Sequence, residues 1–84
     1  NTDVQFARYA LLGETELAVD VALEHLFTEP VILNLGWEET FKQAQYADIV
    51  EDPRVQAAMK RWQDEEAALR EEIRLWLADL QASS

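Results

Sequence analysis

Few side chains in this sequence have the types or the spacing that chemistry requires. His25 is the only histidine, there is no cysteine, and acids stand side by side at four places: Glu38-Glu39, Glu51-Asp52, Glu65-Glu66 and Glu71-Glu72. Neighbouring carboxylates can serve acid–base catalysis or a di-metal centre, but a di-metal helical bundle needs Glu-x-x-His motifs on separate helices. Because the sequence has no such motif, we interpret the paired acids as solvated helix faces.

The spacing around His25 also speaks against a metal site. Asp20 and Glu24 lie nearby on the same segment, but zinc needs three or four converging ligands and no further residue is spaced to join them. The sequence has no glycine-rich phosphate loop, no nucleophile elbow and no Ser/His/Asp set. We therefore expect a protein that is not an enzyme, with no catalytic site, metal or cofactor, in which His25 is a partly buried packing residue.

Charge and composition narrow the class of partner. Seventeen acidic and seven basic residues give a formal net charge of −10, which repels phosphate backbones and anionic lipid headgroups. No apolar run approaches the roughly 18 residues that a membrane span requires. We expect protein partners, with no nucleic acid and no membrane, and the absence of cysteine favours a cytoplasmic location. Because the sequence does not begin with Met, we also expect a longer protein that extends before Asn1.

The elements that must position these residues are predicted to be helices, since two glycines and two prolines leave few turn signals. The first helix is predicted over about 2–12 and ends at Gly13; the second covers about 15–28 and is closed by Pro30. The helical periodicity predicts that the inner faces of this hairpin carry Val4, Ala7 and Leu11, with Phe6 and Ala10 beside them, and then Leu17, Ala18, Val21, Ala22 and Leu26.

The middle of the chain is predicted to be short and irregular. Residues 31–36 form an apolar run, which we interpret as a buried connector because a lone strand would have no partner. A third helix is predicted over about 37–47, with Trp37, Phe41 and Ala44 on one face. Trp37 is expected to anchor the core.

Asp52-Pro53 predicts the start of a long helix, with an acidic N-cap and a proline at the first helical position. The helix should run to about Ala82, roughly 45 Å at 1.5 Å per residue. Along it, steps of four and three residues lead through Val55, Met59, Trp62, Glu66, Leu69, Ile73, Trp76 and Leu80, a heptad-like pattern with one charged interruption. Glu66 with Arg70 and Glu71 with Arg74 are spaced for salt bridges.

The length of this helix predicts a docking surface. Trp62 lies within reach of the first three helices, whereas the apolar residues further along the long helix lie beyond the length that those short helices can cover. A patch of that size is more than monomers usually leave in water. The residues predicted to bind a partner are Leu69, Ile73, Trp76, Leu77 and Leu80.

The stretch Tyr9 to Pro30 resembles the second half of a tetratricopeptide repeat (TPR). Tyr9 stands where that family has a large aromatic, Gly13 at the turn, Ala18 at the helix crossing and Pro30 at the close. The repeat's opening Trp-x-x-Leu-Gly is missing, and His25 replaces its usual late alanine.

Residues 31–84 are similar to segments that follow the last repeat in bacterial multidomain proteins. The similarity rests on Asp52-Pro53-Arg54-Val55, which stands between a short aromatic-bearing helix and a final helix. The resemblance implies the C-terminal end of a TPR array, acting as a scaffold. The expected fold is one all-α domain of the solenoid-cap type, with a hairpin over 1–30, a connector and short helix over 31–52, and a long helix over 53–84.

Two functions stay open on the sequence. In the first, the chain caps a TPR-type helical array and binds its own upstream repeats or another protein. In the second, the heptad-like helix forms a homodimer in a larger regulatory protein, because Ile73 and Leu69 occupy positions that suit a two-stranded pairing.

Overall fold

The computed structural model describes residues 2–83, and this part of the chain contains no strand. Its α-helices are α1 (Thr2–Leu11), α2 (Thr15–Val21), α3 (Trp37–Phe41), α4 (Ala47–Val50) and α5 (Pro53–Ser83). A π-helical turn, Ala22–Leu26, extends α2, and 3-10 turns occupy Val31–Asn34 and Ala44–Tyr46. The all-α class expected from the composition is confirmed.

The turn after α1 is held by Gly13, as predicted. Its φ of 75° is left-handed, a conformation that glycine adopts without a side-chain clash. The Gly13 amide donates to the Ala10 carbonyl at 3.2 Å, and the Glu14 amide donates to the Tyr9 carbonyl at 2.9 Å. This pair of hydrogen bonds is the Schellman ending of a helix, and it turns the chain at once into α2.

The face that α1 buries differs from the prediction. Phe6 and Ala10 are buried, whereas Val4 and Leu11 are 62% and 71% exposed. The reason is aromatic packing: the Phe6 ring stacks on Tyr46 with 5.2 Å between ring centroids, and it meets Phe41 edge-on. These rings turn α1 so that the stripe expected inside points away from the core.

The second helix also departs from the prediction, because its α-helical part ends at Val21. In the π turn that follows, the Phe27 amide donates to the Ala22 carbonyl at 2.8 Å. Phe27, the residue that follows this wider turn, lies in the core and is 2% exposed. Ala18, Val19 and Ala22 are fully buried, whereas Leu17 is 47% exposed and Val21 and Leu26 are only half-buried.

The connector is not buried as expected. Only Val31 is covered, and Ile32, Leu33 and Leu35 are exposed. A 3-10 turn has three residues per turn, so successive side chains point in different directions and one apolar residue in three can face the same core. Gly36, at φ 90°, then leads into α3.

The third helix is shorter than predicted and ends at Phe41. Trp37 and Phe41 are buried as expected, but Ala44 is exposed. Tyr46 and Ile49, from the next two turns, fill the core in its place.

The core lies between α1 on one side and the first half of α5 on the other. α1 packs on α2, the π turn and the turn Ala44–Tyr46, while α5 packs on α4, the π turn and the turn Val31–Asn34. The molecule measures 54 × 25 × 22 Å. It is elongated because 31 residues of α5, about 46 Å at 1.5 Å per residue, far exceed the other helices.

Candidate interaction surface

The start of α5 is fixed by the cap that the sequence predicts. The Arg54 amide donates to Asp52 Oδ1 at 2.9 Å, and the Arg54 guanidinium binds the same carboxylate at 2.9 Å. Hydrogen bonds from Arg54 lower the pKa of Asp52 to about 2. Arg54 also reaches Glu16 of α2 at 3.5 Å, so the cap ties α5 to the hairpin.

The middle of α5 is clamped to the segment that follows the π turn. The Trp62 indole N–H donates to the Glu29 carbonyl at 3.1 Å, and Arg61 donates to the Phe27 carbonyl. The Val31 amide donates to Glu65 Oε2 at 3.3 Å. These bonds satisfy carbonyls at the end of the second helix and hold α5 at residues 61–65.

Beyond this clamp, the apolar stripe of α5 continues without cover. A helix turns by about 100° per residue, so Leu69, Ile73, Trp76 and Leu80 fall within the same arc of about 60° as Val55, Ala58 and Trp62. The first three residues of that stripe are 0%, 5% and 0% exposed. Leu69 is half-buried, while Ile73, Trp76 and Leu80 are 49%, 60% and 48% exposed.

The structure therefore brings the five predicted partner-binding residues together on one half of α5. Leu77, the fifth, lies beside Ile73 and is 47% exposed. All residues from 70 to 83 are exposed. We call the surface formed by Leu69, Ile73, Trp76, Leu77 and Leu80 the distal face. Its role in binding stays a prediction.

Ion pairs lie beside the distal face on one side of α5. Arg70 lies 3.2 Å from Glu66, and Arg74 donates from Nε to Glu71 at 3.0 Å, so both predicted salt bridges form. The Arg74 guanidinium lowers the pKa of Glu71. Glu66, the charged interruption of the heptad pattern, is held at the edge by Arg70, with a side chain 12% exposed.

A shallow groove opens beside the near end of the distal face. It is lined by the connector and by α5 through Pro30, Val31, Ile32, Glu65, Ala68, Leu69 and Glu72. Leu69 is half-buried within it, whereas Ile32 is 54% exposed. The apolar surface of the connector thus continues into the distal face.

A second apolar surface lies on α1 and the residue that follows it, and it was not predicted because helical periodicity places Val4, Ala7 and Leu11 in the core. Val4, Leu11 and Leu12 are exposed, and with Ala7 they line a shallow depression. The sequence does hold a signal, since α1 has two apolar stripes and a helix on the outside of a small domain can bury only one.

The residues considered for chemistry do not converge. Among residues 2–83 there is no group of three or more His, Asp or Glu side chains that could hold a metal ion. The His25 side chain lies in the π turn, 55% exposed and 3.7 Å from Glu24. The prediction that it is partly buried is therefore wrong, because the core position is taken by Phe27.

The paired acids behave mostly as solvated faces. Six of the eight are exposed, and the other two, Asp52 and Glu66, are half-buried and bind Arg54 and Arg70.

One polar group of the core is unusual: the buried Trp37 indole N–H makes no hydrogen bond among the described residues. It borders a cavity with Asp3, Phe6 and Tyr46.

Comparison with known proteins gives no relative. No protein-family model, curated protein or solved structure shows a significant match to the chain. The resemblance of residues 9–30 to a tetratricopeptide repeat therefore stays a prediction. Within residues 2–83, no helix has the length and apolar character needed to cross a membrane.

Proposed function

We propose that this chain is a non-catalytic protein–protein interaction module of a cytoplasmic protein, and that it docks another protein surface on the distal face. One observation carries the proposal: the stripe that is buried at Val55, Ala58 and Trp62 resumes after Glu66 on the same side of α5 and is open to solvent from Ile73 onwards. An uncovered continuation of a core stripe is the kind of exposed apolar patch that marks interaction sites.

The energy available at this face is substantial. An aromatic side chain can bury roughly 150 to 250 Å², and Trp76 is 60% exposed. About 90 to 150 Å² of that side chain thus remains to be covered, which at ~25 cal/mol per Å² is about 2 to 4 kcal/mol before the costs of association. Ile73, Leu77 and Leu80 add to this value.

The second apolar surface supports the more specific proposal that the chain caps a TPR-type helical array. Val4, Leu11 and Leu12 face away from the core on α1, and α5 packs on the other side of the domain. A preceding helical repeat would pack on α1, as neighbouring units of a solenoid do. The distal face of α5 would stay available at the other side for a scaffold partner.

Homodimerisation through α5 is the second candidate, and the heptad spacing favours it. Ile73 and Leu69 stand at positions that suit a two-stranded pairing, and both lie on the distal face. A dimer of this kind would bury two copies of Trp76.

Paired substitutions test these proposals. Ile73→Asp combined with Trp76→Asp should leave the circular dichroism and melting temperature of the chain nearly unchanged, because both side chains are about half exposed or more. If the double variant unfolds, the distal face is part of the core and the interaction proposal fails.

Sedimentation velocity on the same proteins tests the homodimer. A wild-type dimer that becomes a monomer in the double variant supports it, and a wild-type monomer removes it. Val4→Asp combined with Leu11→Asp is the matched control, since it puts the same charges on the exposed face of α1.

A further inference from the structure

The two edges of the distal face differ in charge, and the acids of one edge recur with the seven-residue spacing of the heptad pattern. On one side, acids recur every seven residues at Glu65, Glu72 and Asp79. Positions seven apart drift by only ~20° on a helix, so these carboxylates form a column along the stripe. On the other side, Arg70 and Leu77 occupy the corresponding positions. We call the column the acidic edge.

Ion pairing neutralises Glu65 in part and leaves the other two acids of the acidic edge, Glu72 and Asp79, without a basic partner among residues 2–83. Each basic residue of α5 already has an acid partner: Arg54 with Asp52, Lys60 with Asp64, Arg61 with Glu65, Arg70 with Glu66 and Arg74 with Glu71. The carboxylates of Glu72 and Asp79 make no hydrogen bond or ion pair within residues 2–83. Both flank the exposed Trp76, one turn before it and one turn after.

A second copy of the chain is a poor occupant for this surface. In a parallel pair, the body packed on Val55 and Trp62 would occupy the space that the partner's helix needs. In an antiparallel pair, the two-fold axis brings each edge against the same edge of the partner, so the acidic edges of the two copies would lie against each other. Like charges at such edges oppose pairing, and two chains together carry twice the net charge of −10.

We infer that the occupant of the distal face is a basic amphipathic helix of another protein, with an apolar stripe against Leu69, Ile73, Trp76 and Leu80 and with Lys or Arg against the acidic edge. This inference rests on the proposed function, and it adds the chemistry of the partner. The surface from Leu69 to Leu80 is about 17 Å long, which three helical turns of the partner cover.

The near end of the surface sets the register of that helix. The exposed Ile32 and the half-buried Leu69 line the groove beside Glu65 and Glu72, so a partner residue entering there meets apolar walls and a carboxylate together. A lysine or arginine suits such a place, because its aliphatic stem packs on apolar surface while its charge stays near the acid.

Two synthetic helical peptides of about 18 residues test the inference. Both carry the same Leu/Ile stripe, and they differ only at the flanking positions, which are Lys in one and Glu in the other. Binding is measured through the emission of Trp76, obtained as the difference between the wild-type chain and Trp76→Phe. We expect the Lys peptide to bind at least about tenfold more tightly at low salt, with the ratio falling as salt rises.

Charge variants separate the acidic edge from the general negative charge of the chain. Glu72→Gln with Asp79→Asn should remove most of the preference for the Lys peptide. Glu38→Gln with Glu39→Gln makes the same change in net charge on α3 and should leave the preference intact.

Several results would overturn the inference: equal binding of both peptides, no binding of either, or equal effects of the two double variants. A wild-type chain that already dimerises and buries Trp76 before any peptide is added would do so too. These outcomes differ from failure of the proposed function, in which Ile73→Asp with Trp76→Asp unfolds the chain.

Discussion

Replacing two tryptophans of α5 by alanine, one at a time, should lower the free energy of unfolding by very different amounts. Trp62 and Trp76 lie fourteen residues apart on the same stripe, and they are 0% and 60% exposed. The Trp62 ring contacts Phe27 and Trp37, with centroids 4.6 and 5.7 Å away, and its N–H binds the Glu29 carbonyl. The substitution is chemically identical at both positions, so each variant is the control for the other.

The expected magnitudes follow from these surroundings. Truncating a buried Trp or Phe to Ala costs about 3 to 5 kcal/mol of unfolding free energy. Trp76→Ala should change it by less than about 0.5 kcal/mol, because exposed side chains contribute little and alanine favours the helix. We therefore expect a difference of about 3 kcal/mol or more between the two variants.

Urea unfolding followed by far-ultraviolet circular dichroism measures both values with a signal that does not depend on tryptophan. If Trp62→Ala is too unstable to fold, Trp62→Phe keeps an aromatic ring and loses the bond to Glu29, at a cost of about 1 to 3 kcal/mol. Losses of similar size at positions 62 and 76 would refute the description of α5 as half covered and half open.

Three further predictions concern the rest of the fold. Asp52→Ala should destabilise the chain at neutral pH. The pKa of Asp52 is lowered to about 2 from an ordinary 3.8, so the stabilisation by its carboxylate is fully present above about pH 4 and is lost as the pH falls. The unfolding curves of the variant and the wild type should therefore converge as the pH falls towards 2. Gly13→Ala should cost about 1 kcal/mol in urea unfolding because φ is 75° there; an unchanged midpoint would contradict the left-handed turn. Leu11→Ser should change the free energy of unfolding by less than about 0.5 kcal/mol, whereas Phe6→Ala should cost about 3 to 5 kcal/mol; the reverse order would restore the buried stripe expected from periodicity.

Features that depend on adjacent residues could be predicted from the sequence. The start of α5 at Asp52-Pro53 and the turn at Gly13 each rest on one or two residues whose backbone preferences are strong. The residues of the distal face could also be predicted, because helical periodicity places Leu69, Ile73 and Trp76 on one side whatever the rest of the fold does.

Features decided by distant contacts could not be predicted in the same way. The buried face of α1 depends on Tyr46 and Phe41, which meet Phe6 from more than thirty residues away. The π turn at Ala22–Leu26 places Phe27 in the core, and its residues carry no local signal that separates it from an α-helix. The sequence shows two apolar stripes on α1, but which of them stays exposed follows from the contacts of Phe6 and therefore required the structure.

Hydrogen exchange along α5, measured on the monomeric chain, tests most directly whether the distal face is left uncovered. Amides from about 57 to 66 should exchange slowly, because Val55, Ala58 and Trp62 are buried against the body. Amides from 70 to 83 should exchange much faster, as in an isolated short helix, and should slow when the Lys peptide is added. Equally strong protection along the whole helix in the peptide-free monomer would contradict the account.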